Sequence, residues 1–254
     1  MSTHISGTSF VVYSEAFTDM KKTGLALLAL TLLVCSCSKT SDTRMAKIKF
    51  INAYPSSTYR FAANDKDLTP GLIQSNQGSD LIEILNGTVR IKGFDKRNSA
   101  VIDTSIKLAP FKNYTMIGYD ARYNTLKSSL IEDDLTAPAS GKAHVRVVYA
   151  FVGGDTLRVN TRLRSANDFW ETTGRAFSDH DYDARYRAFK AVAAPGTYQF
   201  TVTANKSTND MVINEPLVNL ASGKIYTLLV NADMSGGRSS NGVPFYTLSI
   251  IQHN

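Results

Sequence analysis

The sequence predicts an all-β protein: two tandem antiparallel Ig-like β-sandwich domains after an N-terminal signal peptide. Three observations predict it. Segments such as KIKFINA (47–53), TVRIKGF (88–94), HVRVVYAF (144–151) and YTLLVNA (226–232) alternate at period two and are rich in β-branched and aromatic residues. No long segment places apolar residues at period 3.6 between helix caps. Gly, Asn and Pro turns interrupt the strands at short intervals, as in an antiparallel sandwich.

The chain opens on a segment that is not part of this fold. Lys21 and Lys22 precede the apolar run Gly24 to Val34, which is shorter than the ~20 residues a membrane-spanning helix needs. It has the length of a signal-peptide core. The two cysteines of the chain, Cys35 and Cys37, follow it. With Val34 at minus three and Ser36 at minus one, Cys37 resembles the acylated cysteine of a bacterial lipoprotein signal. Cys35 fits less well, since the β-branched Val34 immediately precedes it. A disulfide between the two is disfavoured because one residue separates them, and a zinc site needs about four ligands at wider spacing. Residues 1–36 are therefore expected to be signal peptide. Within them, 1–19 read as a misassigned start, because a standard signal begins at Met20. Residues 37–45 form a lipidated tether, anchored to a membrane through its acyl chains rather than spanning it.

The remainder reads as two copies of one module. AKIKFINAY (46–54) matches AHVRVVYAF (143–151), with basic residues at Lys49 and Arg146. NGTVRIKG (86–93) matches PGTYQFTV (195–202), and LAPFKNYTMIGYD (108–120) matches LASGKIYTLLVNAD (220–233) through L-A and K-x-Y-T. Three landmarks recur in one order, so each copy is predicted to be a sandwich, at 46–135 and 142–254. The linker is expected in EDDLTAPASGK, 132–142.

Charge and motifs exclude several functions. The 28 basic and 22 acidic residues give a net charge of +6, with no Lys/Arg block of five or more. Tracking phosphates needs clustered cations, so no nucleic acid is expected. No nucleotide loop, nucleophile elbow or metalloprotease helix is present, and no cofactor is expected.

The ordered strands KIKFINAYPSSTYRFAAND, GTYQFTVTA and GKIYTLLVNAD resemble the DUF4397 domain. The resemblance implies an extracytoplasmic β-sandwich, often in tandem and on lipoproteins of Bacteroidetes-like bacteria, with no known reaction and no catalytic residues to transfer. The first copy departs from the family pattern at Asn86 and Val89, and the second carries a longer middle.

That longer middle, an aromatic and acidic insertion at 165–189, holds the single tryptophan. Phe169, Trp170, Tyr182, Tyr186 and Arg185 are the candidate ligand-binding residues, because aromatic faces beside charged side chains suit a sugar or peptide. The same rings equally suit the closing of a sandwich edge. Asp179, Asp181 and Asp183 alternate and are weak metal candidates. The calcium-hand pattern fails, with Ala184 at its glycine and Lys190 at its bidentate glutamate, so no metal is expected. A solvated loop paired with Arg185 and Arg187 is the plainer expectation.

The sequence thus points to a lipid-anchored, non-catalytic binding or adhesion protein of the outer membrane, with a glycan or an envelope protein as partner. A structural spacer is the alternative. A hydrolase is a third, and it requires Asp179, His180, Asp181 or Glu171 to converge in a deep pocket.

Overall fold

The computed structural model describes residues 44–54, 57–120, 126–150, 158–165, 168–176, 178–205, 211–214, 217–238 and 244–254. Cys37, the signal segment and most of the tether lie outside them.

In the first half, β1 (Met45–Asn52), β2 (Arg60–Ala63), β3 (Lys66–Asp67), β4 (Gln77–Gly78), β5 (Ile82–Leu85), β6 (Gly87–Phe94), β7 (Ala100–Leu108), β8 (Asn113–Asp120) and β9 (Leu126–Asp133) build two sheets. One has the order β4-β1-β8-β9, with β5 also on β1, and the other is β3-β2-β6-β7. In the second half the strands are β10 (Lys142–Tyr149), β11 (Arg158–Arg164), β12 (Phe169–Arg175), β13 (Lys190–Ala193), β14 (Gly196–Asn205), β15 (Met211–Asn214), β16 (Leu217–Leu220), β17 (Ile225–Arg238) and β18 (Pro244–Gln252). Their sheets are β13-β10-β17-β18 and β12-β11-β14-β15, with β16 also on β14. The all-β architecture is as expected. Pairing is antiparallel except in the middle of two sheets, where β1 runs parallel to β8 and β10 parallel to β17. Strand alternation is blind to direction, so this could not be read from the pattern.

Each half has its own core. In the first, Ile48 and Phe50 of β1 and Met116 of β8 face Phe61, Ile91 and Ile102. Phe50 and Phe61 stack at 4.3 Å. In the second, Val145 and Val147 of β10 and Leu228 of β17 face Leu163, Phe200 and Val202. The recurring L-A and K-x-Y-T landmark has one structural meaning in both places. The tyrosine turns into its own core, and its hydroxyl accepts the backbone N–H of the alanine five residues earlier: Ala109 to Tyr114 at 3.0 Å and Ala221 to Tyr226 at 3.1 Å.

The opposite faces of β1 and β10 are buried too. Ile51, Ala53, Ile117, Tyr119 and Ile131 of the first half meet Val148, Ala150, Leu229 and Ile251 of the second in a third core. The approach is close: a methyl group on Gly78 would lie 3.1 Å from Cγ2 of Ile251. Thr43–Asn254 is accordingly one unit rather than two beads on a linker. The connecting segment begins at Asp134, because Asp133 ends β9 and is buried.

Polar groups close both ends of this third core. At one end the Arg146 guanidinium bonds the Asp133 carboxylate at 2.5 Å, Thr227 Oγ1 at 2.9 Å and Thr115 Oγ1 at 3.0 Å. The two threonines are those of the repeated K-x-Y-T. Four residues further along β17, Asn231 Nδ2 donates to the Ala53 carbonyl at 2.5 Å and to Asn76 Oδ1 at 2.8 Å. A buried charge without a partner is severely unfavourable, and each of these polar groups has one.

Candidate functional site

The two parallel pairings set equivalent positions: Ile48 lies opposite Tyr114 as Val145 lies opposite Tyr226. On this scale β5 covers β1 from Met45 to Ile48, and β13 covers β10 from Lys142 to Val145. Beyond that point the edges diverge. An open strand edge must satisfy its N–H and C=O groups. In the first half Ser79 does so, its N–H donating to the Phe50 carbonyl at 2.8 Å and its Oγ accepting the Phe50 N–H at 3.0 Å. Asn76 N–H then donates to the Asn52 carbonyl at 2.6 Å.

In the second half the same carbonyls take other donors. Arg175, at the end of β12, donates from Nη2 to the Val147 carbonyl at 3.1 Å, and Ser178 N–H donates to the Tyr149 carbonyl at 3.1 Å. The covering segment is the 165–189 region. Beyond β12, its described residues form two 3-10 turns, Asp179–Asp181 and Ala184–Tyr186. Arg175 is held by both Asp179 oxygens, with Nη2 at 2.7 Å from Oδ1, and its guanidinium lies 3.9 Å from the centre of the Tyr186 ring. Asp183 caps the second turn, accepting Arg185 N–H at 2.9 Å and pairing with the Arg185 guanidinium at 2.6 Å. That pairing holds the Asp183 carboxyl below its usual range.

Under this strap lies a cavity of about 150 Å³ at the edge of β10 from Val145 to Val147. Its polar and aromatic lining is Arg146, Trp170, Arg175, Arg185, Tyr186 and Lys190. Three of the five candidate binding residues, Trp170, Arg185 and Tyr186, are therefore brought together. Tyr182 is 68% exposed and is not part of the lining. Only the backbone of Phe169 falls within the described residues, opposite Arg164. Trp170 also packs against the second core, and the Lys190 ammonium lies 5.7 Å from its ring centre. Trp170 thus both packs on the core and forms a wall of the cavity.

Arg146, Arg175 and Lys190 were not singled out as site residues by the sequence. A signal existed for Arg146: HVRVVY sets a charge between Val145 and Val147, with Val148 next on its own face, at the position matching Lys49. Lys190 stands one residue beyond the insertion.

The three aspartates do not converge. Asp179 is bound to Arg175, Asp183 to Arg185, and Asp181 accepts from the Tyr119 hydroxyl. The expected solvated loop is solvated only in part, since Asp179 and His180 are buried. Arg187 bonds the His180 carbonyl at 2.5 Å rather than a carboxylate. Burial pushes the His180 imidazole down to about 4, against the opposing pull of Asp181 and Asp179. Burial likewise holds the Tyr119 phenol well above its usual value, with the Asp181 hydrogen bond second. None of Asp179, His180, Asp181 or Glu171 lines the cavity, and Glu171 pairs with Arg162 at 3.1 Å.

Fold and cavity together define an all-β protein of two sandwiches joined through a buried core, with an aromatic and cationic pocket at one sheet edge. A DUF4397 domain, a domain of unknown function, is present at residues 46–154. The match covers the first half, the connecting segment and β10, so it takes in both inner strands that carry Lys49 and Arg146. No curated protein matches the chain. Among solved structures, it is similar to a leucine-rich repeat protein from Bacteroides thetaiotaomicron VPI-5482, with 9% identity and a TM-score of 0.19, over 72% of this chain and 26% of that one. The chain thus spans about a quarter of that protein's length. It is also similar to the C-terminal fragment of the pilus adhesin SpaC from Lactobacillus rhamnosus GG, with 13% identity and a TM-score of 0.20, over 81% of this chain and 96% of that fragment.

Proposed function

We propose that this is a non-catalytic binding or adhesion lipoprotein of the outer membrane of a Bacteroidetes-like bacterium, acylated at Cys37 and built from two tandem copies of one module. Its ligand, a glycan or an envelope protein, docks at the edge of β10. The observation that carries this reading is the cavity, where Trp170 and Tyr186 meet Arg185 and Lys190 beside an incompletely paired strand edge. Aromatic walls with a few polar groups are what recognition sites share. The duplication is supported by the equal strand orders and by the tyrosine-to-alanine hydrogen bond found in both halves.

The test is a glycan array and an envelope pull-down with the full chain beside Trp170→Ala, its fold checked by circular dichroism. Binding should be lost in the folded variant, and unchanged binding would sink the site. Cys37→Ala should move the protein from the detergent phase to the aqueous phase.

A spacer role is favoured by one observation, the apolar core that fixes the two halves against each other. It predicts that neither protein retains any glycan or envelope component.

A further inference from the structure

We propose that the cavity at the edge of β10 takes a single carboxylate group, supplied by a uronic acid residue or a small free acid, with one carboxylate oxygen standing where the first half places Ser79 Oγ. This rests on the binding-site reading above and adds the chemistry of the ligand.

The internal comparison carries the argument. Residues at alternate positions of β1 and β10 turn their backbone toward this edge, while Ala53 and Ala150 donate to the central strands. At Phe50 the N–H is met by the Ser79 hydroxyl at 3.0 Å. At Val147 the carbonyl is met by Arg175, but the N–H has no counterpart to that serine among the described residues. Buried donors of this kind are rare and call for an acceptor.

Charge narrows the acceptor. No acidic residue lines the cavity. Three of its four cations already have a carboxylate: Arg146 has Asp133, Arg175 has Asp179 and Arg185 has Asp183. Lys190 has none among the described residues and is exposed at the mouth over Trp170. One unmatched cation fits one negative charge. A phosphate monoester would bring nearly two, and a neutral sugar would leave Lys190 unpaired. The volume also fits, since a cavity of about 150 Å³ holds a group of benzene size. A carboxylate with its first attached atoms enters, and the rest of an acidic sugar remains at the mouth.

Trp170 is the only tryptophan in the sequence, so its emission reports directly on the cavity. The full chain is titrated with sodium glucuronate, the neutral methyl ester of glucuronate, glucose, glucose 6-phosphate and acetate. A saturable change is expected with glucuronate but not with the ester, glucose or the phosphate. Lys190→Gln should weaken it at least about tenfold, as expected for loss of a charge-assisted contact, and Lys190→Arg should retain it. Acetate matching glucuronate identifies a free small acid as the ligand. Acetate much weaker than glucuronate identifies a uronic acid residue. Equal responses to glucuronate and its methyl ester overturn the carboxylate while leaving a sugar-binding cavity. Silence toward all five probes, in a chain that still retains envelope material through Trp170, overturns the carboxylate alone. Silence together with no retention overturns both readings.

Discussion

Beyond Ile48 the edge of β1 is closed by the chain's own backbone and one serine. Beyond Val145, at the equivalent place on β10, it is closed by an arginine and two short turns that stand off from the strand. The two solutions satisfy the same carbonyls at different cost. A serine and a short strand fill the space, whereas a guanidinium reaches across it and leaves a cavity with aromatic walls. The two halves thus share the parallel pairing of the inner strand and differ in the covering segment, which fills one edge and leaves a cavity at the other.

The inner faces differ in a related way. Lys49 and Arg146 occupy equivalent positions on β1 and β10. Lys49, also buried, reaches the Ser79 carbonyl at 2.7 Å, and burial pulls its amine below the usual value. Arg146 lies fully buried against Asp133. The largest expected effect breaks this contrast. Asp133→Ala should cost about 3–5 kcal/mol in urea unfolding, the range for leaving one partner of a buried pair alone. Lys49→Met should cost far less. If the loss reflects the uncompensated charge, the double variant Asp133→Leu, Arg146→Met should recover most of it.

Acid should separate the halves next. All described histidines belong to the second half. Burial holds His180 down to about 4, and burial followed by the positive charges of Arg146 and Lys49 holds His253 down to about 2. Both folded values lie below the unfolded value, so the unfolded chain binds more protons. Stability is fully present above about pH 6.5 and falls as pH drops from there toward 4, by up to ~1.4 kcal/mol per pH unit for each histidine. Hydrogen exchange at pH 4.5 should show β10, β17 and β18 losing protection before β2, β6 and β7. Uniform loss would mean that carboxylates shared by both halves dominate instead.

A smaller effect tests the likeness of the halves. Tyr114→Phe and Tyr226→Phe should each cost about 1 kcal/mol, the worth of one neutral hydrogen bond, and unequal values would show that the shared landmark is not energetically equivalent. The smallest concerns Tyr182. It is exposed and outside the cavity, so Tyr182→Ala should change stability by no more than ~0.5 kcal/mol and leave ligand retention intact, in contrast to Trp170→Ala.

Much of this was legible in the chain itself. Alternation in KIKFINA and HVRVVYAF fixed strands and faces, the recurring K-x-Y-T marked places that make the same hydrogen bond in each half, and the density of aromatics at 165–189 pointed to the region that holds Trp170 and Tyr186. These are local signals, because a side chain's face in a strand follows from its parity. The tertiary structure alone decided what covers the second face of β1 and β10, how Asp133 of one half neutralises Arg146 of the other, and which rings line a cavity. The near-continuous apolar character of FINA and VVYA says that both faces are buried, but not against what. A partner strand or counter-charge is fixed only when the whole chain has packed, and neither leaves a periodicity in the segment that meets it.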